Sequence, residues 1–253
     1  MIRLFVNGPL AAGQTFEASP EQARYLTGVM RQAPGDRVLV FNGRDGEWLA
    51  SLSDVTRRNC KLTPEAQTHP QSPGPDIELV MALVKRSPLE LVVEKATELG
   101  VRRIRLVTTR RTNADHTNVS RLNIIATEAA EQCERLDVPT VETPVRLDHL
   151  LDHWPDDRRL IFCDEADAQD QIPGATELSR ARPLLEVIES GSGVRWSILI
   201  GPEGGFDPAE RARMLQHPSV TSVTLGPRIL RAETAAISAL VLWQATLGDW
   251  RRP

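Results

Sequence analysis

The feature that most restricts the fold is an alternation in the second part of the chain. Mostly apolar runs, IELVMALV (77–84), RIRLVTT (103–109), RLIFC (159–163), WSILI (196–200) and SVTSVTL (219–225), are separated by stretches carrying helix signals. Short apolar runs of this kind are strands buried on both faces. Helices between them make crossover connections, so the pattern predicts a parallel sheet in an α/β domain. Ser87-Pro88-Leu89-Glu90 reads as a helix start with Ser as N-cap and Pro at the first position, and Gly100 as its stop. A second helix is expected over residues 119–135. A third starts at Asp207-Pro208-Ala209-Glu210 and ends near His217-Pro218, and the last runs from about Ala232 to Trp250.

Residues 64–75, PEAQTHPQSPGP, hold four prolines and a glycine, a composition expected to form no regular element. This seam predicts two domains, residues 1–70 and residues 71–253. In the first, MIRLFV (1–6) reads as a strand. Ser19-Pro20-x-Gln22 opens a helix expected to reach about Arg31. RVLVF (37–41) and EWLASLSDV (47–55) flank the Gly-rich Asn42–Gly46 as a hairpin, and NCKLTPEA reads as a further strand. Together these predict a small β-barrel with one helix.

A chain that is 41% hydrophobic and 25% charged has the balance of a folded protein, not a disordered one. No apolar run is long enough to cross a membrane, and the first residues lack a signal-peptide pattern. Cys60, Cys133 and Cys163 are odd in number and far apart, which argues against a disulfide framework and for a reducing, cytoplasmic setting. His149 and His153 lack a third ligand nearby and read as a surface pair, so no metal site is expected. With 30 basic against 34 acidic side chains the net charge is −4, so any nucleic-acid binding must come from local patches.

Two loops carry the chemistry. GPEGGF (201–206) follows WSILI, and LGPRILRAET (225–234) follows SVTSVT. In open α/β sheets ligands bind beyond the carboxyl ends of strands, and glycine there lets the backbone come close. Neither loop has the glycine spacing or the Lys of a phosphate cradle, and Glu203 would repel a pyrophosphate. A ligand without phosphate fits better, such as S-adenosylmethionine with its positive sulfonium. Ordinary tight turns before helices are the competing reading. Lys85, Arg86, Arg110 and Arg111 follow two further strand ends and make a candidate phosphate-contacting group, against a solvated charged rim. Arg102 and Arg103 precede their strand and belong to the opposite edge. The last helix, apolar almost all round, reads as a subunit interface or a core helix.

LVKRSPLELVVEKATELGV (83–101), EAAEQC (128–133), ILIGPEGGF (198–206) and VTLGPRILRAETAAISAL (223–240) together resemble the RsmE-type 16S ribosomal RNA uridine N3-methyltransferases of the SPOUT superfamily. YLTGVMR (25–31) and PGDRVLVFNGRDGEW (34–48) resemble that family's N-terminal PUA-like domain. The resemblance covers essentially the whole chain. It implies a knotted SPOUT α/β methyltransferase domain with a C-terminal trefoil knot, preceded by the PUA-like RNA-binding β-barrel. It also implies a homodimer acting on 16S ribosomal RNA, within the small ribosomal subunit, and S-adenosylmethionine as cofactor. Carried over by position, the cofactor residues are Asp164 and Glu165; Gly201, Pro202, Glu203, Gly204 and Gly205; and Leu225, Gly226, Ile229 and Leu230. Many relatives carry Gly-Arg after EAAEQC; here Glu134-Arg135 stands there, which questions a close RNA approach at 134.

The implied reaction transfers a methyl group to N3 of an unpaired uridine. Arg228 and Arg231 are the candidates for stabilising charge on the uracil oxygens, and Glu203 and Glu233 the candidate proton acceptors. Glu233 is equally read as a helix N-terminal carboxylate. Arg24, Arg31, Arg37 and Arg44 in the small domain and Arg135 in the large one complete the expected RNA contacts. Ribose 2′-O methylation and a non-catalytic RNA-binding assembly role are the alternatives.

Overall fold

The computed structural model describes residues 1–56, 58–113, 117–164, 181–189 and 195–251. The chain divides into two compact units, one of Met1–Pro73 with Thr127–Val138, the other of Gly74–Ala126 with Pro139–Pro253.

The first unit contains β1 (Arg3–Phe5), β2 (Phe16–Glu17), α1 (Pro20–Arg24), β3 (Arg37–Phe41), β4 (Glu47–Ser53) and β5 (Lys61–His69). They form one sheet in the order β1-β3-β4-β5-β2, in which only β1 and β3 pair in parallel. Alternate residues of β3 and β4 point inward, and Val38, Val40, Ala50 and Leu52 pack with Leu4, Leu26 and Leu62. Ser19 caps α1 as expected, in a capping box with Gln22 and with Pro20 at the first turn. The helix does not continue to Arg31. Residues Tyr25–Val29 widen into one π-helical turn, closed by the Met30 N–H on the Tyr25 carbonyl at 2.9 Å. Thr27, Gly28 and Val29 are poor helix formers, which lets the regular ladder fail there.

The seam at 64–75 also differs from its reading, because β5 runs through it to His69. Pro64 has no N–H for a ladder, but it pairs with Ala50 where the β4–β5 register shifts, and its carbonyl accepts from Gly13 at 2.8 Å. A bulge is the one interior place a strand tolerates proline.

The second unit holds β6 (Ile77–Ala82), α2 (Arg86–Glu98), β7 (Arg103–Thr108), the first half of α3 (Val119–Gln132), β8 (Thr140–Val141), β9 (Val145–Arg146), α4 (Leu147–Asp152) and β10 (Arg158–Cys163). It continues with β11 (Arg182–Pro183), α5 (Leu184–Glu189), β12 (Arg195–Ile200), α6 (Pro208–Gln216), β13 (Val220–Thr224) and α7 (Ala232–Thr246). The sheet runs β11-β13-β10-β12-β6-β7-β8, with β9 also on β7, and every pairing is parallel. All six residues of β6 are buried, as an apolar strand covered on both faces must be.

Asp207 caps α6 in a box with Glu210, as the sequence indicated. Ser87 does not cap α2. The cap residue is Lys85, and Pro88 lies inside the first turn, where a missing N–H is no loss because the first four N–H groups have no helical partner. Arg103 does lie at the edge opposite the loops. It forms ion pairs with Glu78 near the start of β6 and with Glu142 just after β8, 3.7 and 3.5 Å away. Arg158, nearly buried, joins Asp76 there at 2.6 Å.

Candidate functional site

Four adjacent strands of the second unit, β13, β10, β12 and β6, deliver their carboxyl ends to one edge. The two glycine loops leave β12 and β13, which are not neighbours, because β10 lies between them. The loops nevertheless share one cavity of about 470 Å³, and the end of β10, Cys163 and Asp164, lies in the gap as part of its lining. This out-of-order strand makes a topological switch point, where open α/β sheets bind ligands.

Of the residues expected at a cofactor, Asp164, Gly201, Pro202, Glu203, Leu225, Gly226, Ile229 and Leu230 line the cavity, as do Arg228, Arg231 and Glu233. Gly204 and Gly205 do not: a Cβ on Gly204 would meet Arg111, whose guanidinium donates to the Gly204 carbonyl at 3.2 Å. Glu165 lies outside the described residues. Each loop has a local reason for its glycines. A Cβ on Gly201 would stand 2.6 Å from the Phe206 ring, which packs edge-on against Phe162. Gly226 has φ +114°, which other residues rarely adopt.

The electrostatics are mixed. Asp164 is buried and receives the Arg211 guanidinium at 2.7 and 2.8 Å. Burial, with the neighbouring Asp164 charge, pushes the Cys163 thiol up to about 12, so it stays neutral. Arg228 and Arg231 are exposed, and no ion pair among the described residues engages either. Arg231 is the N-cap of α7, and Glu233 sits in that helix's first turn, where a carboxylate suits the dipole. Glu203 accepts from the Lys85 N–H at 3.5 Å, at the start of α2.

Among the described residues, a second cavity of about 570 Å³ shares Lys85 and Glu203 alone with the first. Its remaining lining, including Leu89, Asn113, Asn118 and Arg121, was not singled out from sequence, except for Arg86. The available signal was a polar Asn-x-x-Arg helix start soon after a strand end: Asn118 Oδ1 accepts from the Arg121 N–H at 3.0 Å. Phe206 and Thr224 in the first cavity were also missed.

The expected RNA contacts fare unequally. Arg24 and Arg31 are exposed, and Arg31 has φ +56° just after the π-turn, beside exposed Tyr25, Val29 and Met30. Arg37 pairs with Glu65 at 3.1 Å and Arg44 donates to the Asn7 carbonyl at 3.1 Å. Arg86 pairs with exposed geometry to Glu90 at 2.8 Å, and Arg110 to Asp207 at 3.0 Å. Such surface pairs are weak and leave the cations available. Arg135 is not available: its side chain is only 10% exposed and holds Asp137. Glu134 before it has φ +63°, a backbone conformation just after α3 that glycine adopts more readily.

The class follows from the family matches, which agree with a parallel α/β unit carrying a cavity at its carboxyl edge and a separate small β unit: the RNA methyltransferase domain matches residues 70–244 and the RNA methyltransferase PUA domain residues 19–65. The ribosomal RNA small subunit methyltransferase E of Rickettsia conorii is 30% identical over 94% of this chain and 93% of its own. That of Bacillus subtilis is 30% identical over 89% and 88%. Among solved structures, a methyltransferase from Legionella pneumophila with bound S-adenosylmethionine is 30% identical with TM-score 0.82, covering 98% of both chains. The small subunit methyltransferase E from Neisseria gonorrhoeae, bound to S-adenosylmethionine, is 25% identical with TM-score 0.83, covering 99% of this chain and 100% of its own. The chain belongs to this family of ribosomal RNA small subunit methyltransferases.

Proposed function

We propose that this protein transfers a methyl group from S-adenosylmethionine to N3 of a uridine in 16S ribosomal RNA. The observation that carries the reading is the single cavity bounded by both glycine loops and the end of β10. Its residues fit that cofactor. Ile200, Phe206, Leu225 and Leu230 offer apolar surface to an adenosyl group, and Asp164 and Glu233 offer carboxylates to its cationic parts. Nothing in the lining makes the Lys-bearing glycine loop that a pyrophosphate requires. When bound, the cofactor supplies an electrophilic methyl group on a sulfonium.

The chain's own residues do the rest. The stiff loops fix the donor's place, a positioning effect. Arg228 and Arg231 stabilise negative charge developing on the uracil oxygens. The first unit, within residues 1–70, reads RNA with Arg24 and Arg31 beside the π-turn. π-Turns and left-handed non-glycine residues concentrate at functional surfaces. The domain of residues 71–253 carries catalysis, with its C-terminal region threaded as the trefoil knot the family resemblance implies. The enzyme works as a cytoplasmic homodimer on the small subunit. α7 supports the dimer: it is apolar almost all round, yet Ile237, Val241 and Leu242 are only half-buried. No helix among the described residues is long and apolar enough to cross a membrane.

The test is direct. Purified protein with labelled cofactor and small subunits lacking the modification is expected to yield 3-methyluridine on nucleoside mass spectrometry. 2′-O-Methyluridine in its place would overturn the base assignment. Arg231→Ala is expected to cut turnover on the order of 100-fold while calorimetry shows little change in cofactor affinity.

A further inference from the structure

The two cavities have different chemistry, and one carboxylate belongs to both. The second offers apolar surface from Val84, Leu89 and Leu122 and neutral hydrogen-bonding groups from Asn113, Thr117 and Asn118. A uracil ring needs this combination: flat apolar faces, and an imide edge of two carbonyl acceptors around the N3–H donor. The volume lies within the range of small-molecule sites. Arg86 and Arg121 on the rim suit the phosphates on either side of a nucleotide. Among the described residues, Lys85 and Glu203 alone line both spaces, and of these two only the Glu203 side chain is ordinarily a proton acceptor at neutral pH. Glu233 lines the first cavity alone.

Resting on the uridine-N3 reading above, we infer that the second cavity receives the target uridine and that Glu203, on the wall common to both cavities, accepts its N3 proton. The N3–H bond breaks and the proton passes to a Glu203 oxygen. The electron pair left on N3 forms the bond to the methyl carbon, and the electrons of the broken S–C bond stay on sulfur, which leaves as a neutral thioether. The product carries no N3–H, so it no longer has the donor that Glu203 binds, and release follows.

The charged groups around Glu203 come from several elements. Lys85, Arg86 and Glu90 belong to the start of α2 and Arg121 to α3. Asp164 follows β10, and Arg228, Arg231 and Glu233 come from the loop and helix after β13. Arg111 bonds the carbonyl of the next residue, Gly204. Cations outnumber carboxylates in this set, which favours an anionic uracil in the transition state.

Two measurements test the assignment. In the first, cofactor-free protein is titrated with a short RNA containing the uridine and with its 3-methyluridine counterpart. The wild type is expected to prefer uridine by about tenfold, the worth of one hydrogen bond to a charged group, and Glu203→Ala to lose the preference. In the second, single-turnover methyl transfer is followed against pH. Glu203→Gln is expected to slow transfer on the order of 100-fold or more, with the deficit narrowing as pH rises and N3 ionises unaided. Equal preference in wild type and Glu203→Ala, a deficit constant with pH, or a pH-recovering deficit in Glu233→Gln instead would each overturn the assignment. Wild-type protein that makes no 3-methyluridine overturns the functional reading itself. Wild-type product together with an unimpaired Glu203→Gln overturns this inference alone.

Discussion

Glu134 holds a backbone conformation that suits glycine, φ +63°, on an exposed position with its side chain free of the core. A left-handed non-glycine residue costs roughly 1–2 kcal/mol, partly offset because glycine loses more freedom on folding. Glu134→Gly is therefore expected to stabilise the protein by about 0.5–1 kcal/mol, read as a higher denaturation midpoint at unchanged slope. A lower midpoint would show that the carboxylate has a partner worth more than the strain. Gly226 makes the opposite case: its φ of +114° is a conformation that residues with a side chain rarely adopt, and any side chain forced on it would stand on the cavity wall. Gly226→Val is expected to weaken cofactor binding in calorimetry at least tenfold with the fold intact by circular dichroism; unchanged affinity would remove that loop from the site. At this scale much was legible. Glycine and proline announce backbone needs directly, so Gly201, Pro202 and Gly226 were readable as cavity residues. Gly204 and Gly205 were not separable from them, since only coordinates show that Gly204 faces Arg111.

In the first unit, β1, β4 and the end of α3 are joined through one buried ion pair. Arg3 pairs with Glu47, and its other guanidinium nitrogens donate to the Ala130 carbonyl, one of those a helix end leaves without a helical partner, at 2.9 Å and to the Arg135 carbonyl just beyond α3 at 2.6 Å. Burial pushes the Glu47 carboxyl up, but hydrogen bonds from Arg3, Thr68 and His69 together with the Arg3 charge outweigh it and hold the group below its ordinary value. A depressed carboxyl contributes stability above the unfolded value near 4.5, and loses it as pH falls through the lower folded value. Glu131 is shifted the other way, raised chiefly by burial although it accepts from the Phe5 N–H at 2.9 Å. It contributes stability below its unfolded value and loses it as pH rises through the folded one. Glu131→Gln, which keeps an oxygen for Phe5, is thus expected to stabilise the protein at neutral pH and not at pH 4, as urea titrations at both values would show. Equal effects at both would mean that the carboxyl ionises normally. None of this was legible beforehand, because a buried Arg–Glu pair far apart in sequence has no periodic signature. The strands and helices had one, and their misreadings are local. The proline-rich seam from Pro64 hid the continuation of the NCKLTPEA strand to His69, with Pro64 at a register shift, and Ser87 was taken for the cap position that Lys85 occupies.

Over the whole molecule, the sheet order is where sequence reading stops. Alternating runs establish a parallel sheet, but nothing in a one-dimensional pattern places β10 between β12 and β13 or opens the second cavity beside α2. Charge, by contrast, is read from sequence at once, and it constrains binding. With a net charge of −4, RNA cannot be held by an overall field, so affinity must come from a few exposed arginines. Arg24 and Arg31 are exposed beside the π-turn, and the contacts that compete for Arg24 are weak: 3.5 Å to Glu21 and 3.3 Å from its Nε–H to the Pro20 carbonyl. Each phosphate contact to single-stranded RNA contributes roughly 0.7 to the slope of log affinity against log salt. Replacing both residues with alanine is expected to lower that slope by about 1.4, to weaken binding at low salt, and to leave cofactor affinity untouched, since neither residue lines the cavity. Binding followed by fluorescence anisotropy over a salt series measures the slope. A variant with the wild-type slope would place the phosphate contacts elsewhere, among Lys85, Arg86, Arg110 and Arg111 of the catalytic unit, and the π-turn surface would then read RNA by base contact or not at all.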